Sequence, residues 1–328
     1  MPNNNYMKKS ASTEKYDLQF ASEVDKGLSE HPKHLPTRFI YDDEGSRLFE
    51  EIMRLPEYYL TRAEQEILSR YSGEIASILG REKFNLIELG AGNGEKTATL
   101  IKALLKEKKQ FRYVPIDISV GAIDALRQDL GRQFGSLPIE GIHSDYFEGL
   151  RWIKEHSQRR NIVLFLGSNI GNFQLDHQHL FMQKLSQCLK PGDYLLIGFD
   201  LIKDYEVIRK AYFDPAGVTA RFNLNLIRRI NRELGANFNM DEMAYYSAYN
   251  PYKKRNEACV YSKCRQIIYM KANNKNYVLE AFEPVNTEYS YKYSIADTER
   301  MAAEYGFGAI AHFRDSRAFF TDALWLRK

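Results

Sequence analysis

Cysteine is scarce in this chain: 328 residues hold three, Cys188, Cys259 and Cys264. An odd, low number without C-x-x-C spacing excludes a disulfide framework and a structural zinc site. It points to a reducing, cytoplasmic compartment. Tryptophan is rarer still, two residues against 22 tyrosines. So many tyrosines suit pockets that need a flat apolar body with a hydroxyl tip. Net charge is almost absent, because 46 Lys+Arg face 43 Asp+Glu and leave +3. A dedicated nucleic-acid binder carries a basic excess. No apolar run approaches the roughly 18 residues that span a bilayer. The longest, near Ile162–Leu166 and Tyr194–Phe199, have strand length. Met1 to Asp17 is polar and lacks the apolar core of a secretory signal. The seven histidines show no H-E-x-x-H or other metal spacing, so no metal is expected.

What is present is an ordinary folding composition, 44% apolar and 27% charged, over a length that suits one or two domains. The middle of the chain alternates short apolar runs with helical spacing. Strands are expected at Phe84–Leu89, Tyr113–Ile118, Ile139–His143, Ile162–Leu166 and Tyr194–Phe199, and helices at Gly94–Leu105, Ala122–Phe134 and His177–Leu189. That rhythm predicts a doubly wound parallel sheet. Thr61 to Glu64 reads as a capping box ahead of a helix with its stripe at Ile67, Tyr71, Ile75 and Leu79. From residue 201 to 290 the rhythm stops. That stretch predicts a helix over Val218–Leu234 and strand-like pieces at Cys264–Met270 and Tyr277–Pro284, in an inserted second region. Ala318–Leu326 is expected to return to the sheet as an edge strand.

Glu88-Leu89-Gly90-Ala91-Gly92-Asn93-Gly94-Glu95-Lys96 sits where the first strand turns into its helix. Glycines there let a ligand approach the backbone closely. A dinucleotide fingerprint needs a third glycine where Glu95 stands. A carboxylate in the first helical turn also opposes a pyrophosphate. S-adenosylmethionine carries a sulfonium and no phosphate, so it tolerates Glu95. Asp117, ending the second strand, can accept both ribose hydroxyls. Asp145 and Tyr146, after the third, can hold the adenine amino group and cover its ring. Ligands at the carboxyl ends of such strands are the rule. The fourth strand runs into Gly167–Phe173, where Asn169 and Asn172 are uncharged donors for a substrate carboxylate. Asparagines that merely cap a glycine turn are an equal alternative on pattern alone.

Several stretches together resemble the histidine Nα-methyltransferases of ergothioneine biosynthesis, which use S-adenosylmethionine. They are Tyr41–Phe49, Leu55–Glu64, Glu88–Lys96, Asp117–Ser119, Gly167–Phe173, Gly198–Leu201, Asp214–Asn223 and Thr287–Ser290. The resemblance runs from about residue 35 to the C-terminus. It implies an α/β fold, a Rossmann-like class I methyltransferase sheet with a second, inserted substrate-binding domain. The cofactor-binding domain would take 62–200 and 291–328. The substrate domain would take 18–61 and 201–290, with 1–17 a flexible tail. Gly90, Lys96, Asp117, Asp145 and Tyr146 would contact S-adenosylmethionine. Asn172 and Tyr212 would hold the α-carboxylate of a free amino acid. Tyr58, Glu288 and Ser290 would surround the imidazole. Tyr41 would lie near the amine, as the candidate catalytic group, with water or a tyrosine relaying protons.

One departure matters. The family commonly reads Arg-x-Glu-Met before the imidazole-binding strand, and this chain reads Arg255-Asn256-Glu257-Ala258. Alanine opens the pocket relative to methionine. That keeps a larger acceptor, tryptophan or a derivative, as an alternative to histidine. Glu288 favours histidine, because an indole offers one donor and would leave a carboxylate unpaired. A protein that binds S-adenosylmethionine or an amino acid without turnover is the third reading.

Overall fold

The computed structural model describes residues 9–92 and 94–328. Its helices are α1 (Lys9–Ser29), α2 (Asp43–Arg54), α3 (Tyr59–Ile78), α4 (Glu95–Lys106), α5 (Val120–Gln133), α6 (Tyr146–His156), α7 (Leu175–Cys188), α8 (Tyr205–Tyr212), α9 (Val218–Leu234) and α10 (Ile295–Glu304). Its strands are β1 (Phe84–Leu89), β2 (Phe111–Asp117), β3 (Ile142–His143), β4 (Arg160–Phe165), β5 (Tyr194–Asp200), β6 (Met243–Asn250), β7 (Arg255–Ser262), β8 (Gln266–Met270), β9 (Lys275–Leu279), β10 (Val285–Tyr291), β11 (Phe307–Arg314) and β12 (Phe320–Arg327). One unit comprises Tyr59–Lys203 and Tyr291–Lys328; the other comprises the residues up to Tyr58 and Asp204–Ser290. Of the tail expected over 1–17, residues 1–8 lie outside the described residues, and Lys9 already begins α1.

All six residues of β1 are buried, because a parallel sheet is covered on both faces. The sheet order is β11-β12-β5-β4-β1-β2-β3. β1 pairs in parallel with β2 and β4, β2 with β3, and β4 with β5. β12 runs antiparallel to β5 and to β11. Strand order reverses at β1, so the carboxyl ends of β1 and β4 flank the crevice where such sheets bind ligands.

Two expectations change here. The Ala318–Leu326 strand is not at the edge: β12 lies between β5 and β11. Phe320 through Trp325 are all buried, because the sheet is covered on both faces there, and pairing with β5 and β11 satisfies both edges of the strand. At about 25 cal/mol per Å², an aromatic burying about 200 Å² contributes about 5 kcal/mol before entropy is counted. β11, with Ala309 and Ile310 exposed and a register shift between Ala309 and Ala311, takes the edge instead, where bulges are common. The capping box at Thr61 also fails. α3 begins at Tyr59, and Glu64 is buried inside it. Its carboxylate accepts from the Gly167 backbone N–H at 2.6 Å and from Lys96. Those partners across the fold outcompete a local cap.

The second unit is built on α9. Val218, Phe222, Leu226, Ile230 and Leu234 recur every four residues and are all buried, the stripe of an amphipathic helix. They share a core with Phe20, Val24 and Leu28 of α1 and Val260 of β7. The sheet of this unit has the order β10-β7-β6, with β8 and β9 a separate hairpin. The Asp-Pro-Ala-Gly-Val-Thr block is the start of α9. Asp214 accepts from the N–H groups of Val218 and Thr219, each at 2.8 Å, and Gly217 turns the chain at φ +67°. Such a cap contributes about 1 kcal/mol. Burial opposes the Asp214 charge, but these hydrogen bonds outweigh it and hold the pKa below its usual value. One turn later, buried Asn223 accepts from Thr287 Oγ1 at 2.6 Å, which fastens β10 to the helix.

Candidate active site

The site residues divide between the two units. In the sheet unit, β1 ends at Gly90, whose φ is +72°. A Cβ built there would meet the Tyr146 hydroxyl at 2.6 Å, so only glycine leaves the loop where it is. Gly94 has φ +70° and a Cβ there would meet Leu126 at 2.2 Å. Asn93 lies outside the described residues. Beneath the loop, Glu88 is buried and accepts from Thr97 Oγ1 at 2.6 Å and from the Tyr113 hydroxyl. Burial raises its pKa to about 6 against the pull of those bonds. It clasps β1 to α4 and β2, a role the motif alone does not disclose.

Asp117 closes β2. Its Oδ1 accepts from Ser119 N–H at 2.9 Å, and burial raises its pKa above the usual value. Asp145 is the N-cap of α6, and its Oδ1 accepts from the N–H groups of Phe147 at 2.9 Å and Glu148 at 3.0 Å. That oxygen is committed to the helix. Tyr146 begins α6 beside Gly90, and burial pushes its hydroxyl up to about 12, so it stays a neutral donor. Glu95, exposed in the first turn of α4, repels a phosphate. A cleared glycine cradle, a half-buried acid on the next strand and a carboxylate at the helix start fit a cationic, phosphate-free nucleoside.

Lys96 points to Glu64, with Nζ 2.5 Å from Oε2. Burial works against its charge, but Glu64, Glu88 and Asp322 outweigh that and raise its pKa. Asp322, on β12, is fully buried. Burial, then the Glu64 charge, raise its carboxyl well above the usual range. Sequence reading missed Asp322, which lies near no motif, and gave Glu64 only a local capping role, because the two acids meet only when β12 enters the sheet. Between about pH 4 and its folded pKa, the folded protein holds the Asp322 proton and the unfolded chain does not. Stability is therefore lost as pH rises through that window. Asp322→Asn, neutral at every pH, is expected to raise the melting temperature at pH 8 more than at pH 5, at about 2–4 °C per kcal/mol. Thermal unfolding at both pH values checks it, and an equal shift at both would contradict a neutral Asp322.

After β4 the chain turns through Gly167 (φ +78°) and Ser168 (φ +57°) into a 3-10 turn, Asn169–Asn172. A Cβ on Gly171 would lie 3.0 Å from the Tyr291 carbonyl oxygen. Asn172 ends that turn, half-buried.

In the other unit, Tyr212 ends α8, and its hydroxyl lies 2.7 Å from Ser290 Oγ on β10. Tyr245, on β6, donates to the Tyr212 carbonyl at 2.9 Å. Burial raises the Tyr245 phenol well above its usual pKa, and the Glu288 charge adds to the rise. Tyr212, Tyr245, Glu288 and Ser290 thus form one cluster. Tyr245 was not found from the sequence; its signal was the alternation of Met243, Tyr245 and Ser247. Tyr41 and Tyr58 meet a second group. Phe49 lies 5.5 Å from the Tyr41 ring and 6.2 Å from the Tyr58 ring, and Phe222 lies 5.4 Å from Tyr41. Tyr41 is 39% exposed. Ala258 is buried on β7, and its carbonyl accepts from Asn286 Nδ2 at 3.0 Å and Thr287 Oγ1 at 3.3 Å.

A doubly wound sheet closed by an antiparallel pair, with a glycine loop after β1 and an acid ending β2, is the frame of an α/β enzyme that takes a nucleoside-like cofactor. Residues 20–327 match the family described as histidine-specific methyltransferase, SAM-dependent, and the chain belongs to it. It is 38% identical over 276 residues to a histidine N-alpha-methyltransferase of Mycobacterium tuberculosis, covering 84% of this chain and 85% of that one. It is 37% identical over 284 residues to the histidine N-alpha-methyltransferase of Mycolicibacterium smegmatis, covering 87% of each. It also matches the ergothioneine biosynthesis protein 1 of Neurospora crassa at 30% identity over 293 residues, covering 86% of this chain and 32% of that protein. Among the described residues, no helix is long and apolar enough to cross a membrane.

Proposed function

We propose that this chain methylates the α-amine of free L-histidine to Nα,Nα,Nα-trimethylhistidine, a step of ergothioneine biosynthesis. The observation that carries this reading is the cluster of Tyr212, Tyr245, Ser290 and Glu288. A carboxylate beside neutral hydroxyls matches an imidazole, which offers two donors or a donor and an acceptor. Glu288 and Ser290 take the two ring nitrogens, and Tyr58 supplies an aromatic face. Tyr212 and Asn172 hold the α-carboxylate by hydrogen bonds without adding charge. Gly90, Asp117, Asp145, Tyr146 and Lys96 serve the cofactor. When bound, S-adenosylmethionine supplies a methyl group made electrophilic by its sulfonium. The protein's part is to hold a neutral amine in line, and positioning accounts for most of such acceleration. The half-exposed Tyr41 passes the amine proton toward solvent.

The test is an endpoint assay by mass spectrometry. Protein and S-adenosylmethionine are incubated with histidine, tryptophan, tyrosine or a mixture of the other amino acids. Histidine alone is expected to gain three methyl groups. Methylation of another acceptor with histidine untouched would move the substrate to the pocket that Ala258 enlarges.

A further inference from the structure

The chain passes between its two units three times, after Tyr58, after Lys203 and after Ser290. On the sheet-unit side, each passage is fastened to the same carboxylate. Asp200, the last residue of β5, is fully buried. The Tyr59 hydroxyl lies 2.9 Å from both of its oxygens. Lys203 Nζ donates to Oδ1, and Lys292 Nζ lies 2.8 Å from Oδ2. Lys203 also donates to the Tyr59 hydroxyl at 2.8 Å and sits 4.4 Å above the Tyr59 ring. Tyr59 and Lys203 are the first and last residues of their segment, and Lys292 is the second residue after the third passage. The Asp200 backbone N–H donates to Ser168 Oγ at 2.9 Å, in the loop that ends at Asn172.

A fully buried carboxylate with two ammonium groups is an expensive way to support a core, since hydrophobic replacements of buried ion pairs are often as stable or more so. What such a group offers is fixed direction. Tyr58 is bonded to Tyr59 in the chain, Ser290 is two residues from Lys292, and α8, which ends at Tyr212, starts two residues after Lys203. Every acceptor-side residue in those segments is therefore a short tether from one anchor.

We infer that Asp200, with Tyr59, Lys203 and Lys292, is a positioning centre that holds the acceptor-binding residues in register while taking no part in cofactor binding. The inference rests on the proposed function for its kinetic readout. Removing one partner of a buried ion pair is strongly destabilising, so Tyr59→Phe is the first variant and Asp200→Asn the second. Tyr59→Phe removes one hydroxyl and keeps the ring. It is expected to raise the KM for the amino-acid acceptor about tenfold, because a displacement of about 1 Å in residues that position a substrate can cost up to about a hundredfold. Its Kd for S-adenosylmethionine, measured by calorimetry, stays within about twofold of the parent, because that site lies on other strand ends. Amide hydrogen exchange is the second readout and needs no substrate. In both variants it is expected to speed up at 56–60, 203–212 and 288–293 and stay unchanged in β1 and β4. An unchanged acceptor KM in folded Tyr59→Phe, or exchange that rises throughout the sheet, would overturn the inference. If the parent methylates no amino acid, the proposed function fails, and the exchange pattern still decides this one.

Discussion

Asp117→Ala is expected to weaken binding of S-adenosylmethionine at least about a hundredfold, because a carboxylate accepting two ribose hydroxyls makes two hydrogen bonds worth about 1.5 kcal/mol or more each. Asp117 is suited to that task. It closes β2, the strand beside β1, and burial has already stripped much of its water, which raises its pKa. A desolvated acceptor gains more from a new donor than one in water. Calorimetric titration of the variant with S-adenosylmethionine checks the value. Asp145→Ala is the internal comparison. Its Oδ1 caps α6, so its loss is expected to lower stability by about 1 kcal/mol as well as cofactor affinity, whereas Asp117→Ala is expected to act on affinity alone. A change in affinity below threefold for Asp117→Ala would remove the ribose assignment.

Glu288→Ala is expected to lower kcat/KM for histidine about a hundredfold, with the Kd for S-adenosylmethionine unchanged. A site built to hydrogen-bond its substrate discriminates strongly when the bond is lost, since the substrate's polar group is then desolvated and unpaired. The loss is expected to be specific to histidine. Turnover of tryptophan, which offers one donor and no acceptor, should not fall and is expected to rise from the parent's level. Steady-state rates with both acceptors, beside a melting curve, check this. Equal losses on both, or a fall in melting temperature large enough to account for them, would make Glu288 a structural acid held against Tyr245.

Local order was legible in the residues. The period of four from Val218 to Leu234 is a helix wherever the stretch is placed, and the structure has α9 over that same range. The continuous apolar run at Phe84–Leu89 is β1 because burial on both faces erases alternation. The glycine loop and the acid ending β2 were legible because each is a backbone demand: φ near +70° at Gly90 and Gly94, and a side chain at a strand's carboxyl end. The same reading misplaced Glu64, since a capping box is a local pattern and its real partners, Gly167 and Lys96, are 103 and 32 residues away. It placed β12 at the edge because hydrophobicity tells how many faces a strand buries, not which neighbours it takes. β6, β7 and β11 went unseen: Tyr, Asn and Ser dilute the alternation of β6 and β7, and β11 leaves Ala309 and Ile310 exposed.

The sequence by itself determined the doubly wound sheet, the glycine loop and the family the chain resembles, because each is carried by short local patterns read one after another along the chain. Tertiary structure alone decided which acid raises the pKa of buried Asp322, which tyrosine joins Tyr212, Glu288 and Ser290, and that Asp200 gathers Tyr59, Lys203 and Lys292. Tyr59 and Lys203 are 144 residues apart along the chain, and Glu64 and Asp322 are further apart still. Their meeting depends on strand order and on the low-dielectric interior, where an unpaired charge is so unfavourable that distant partners must be brought to it.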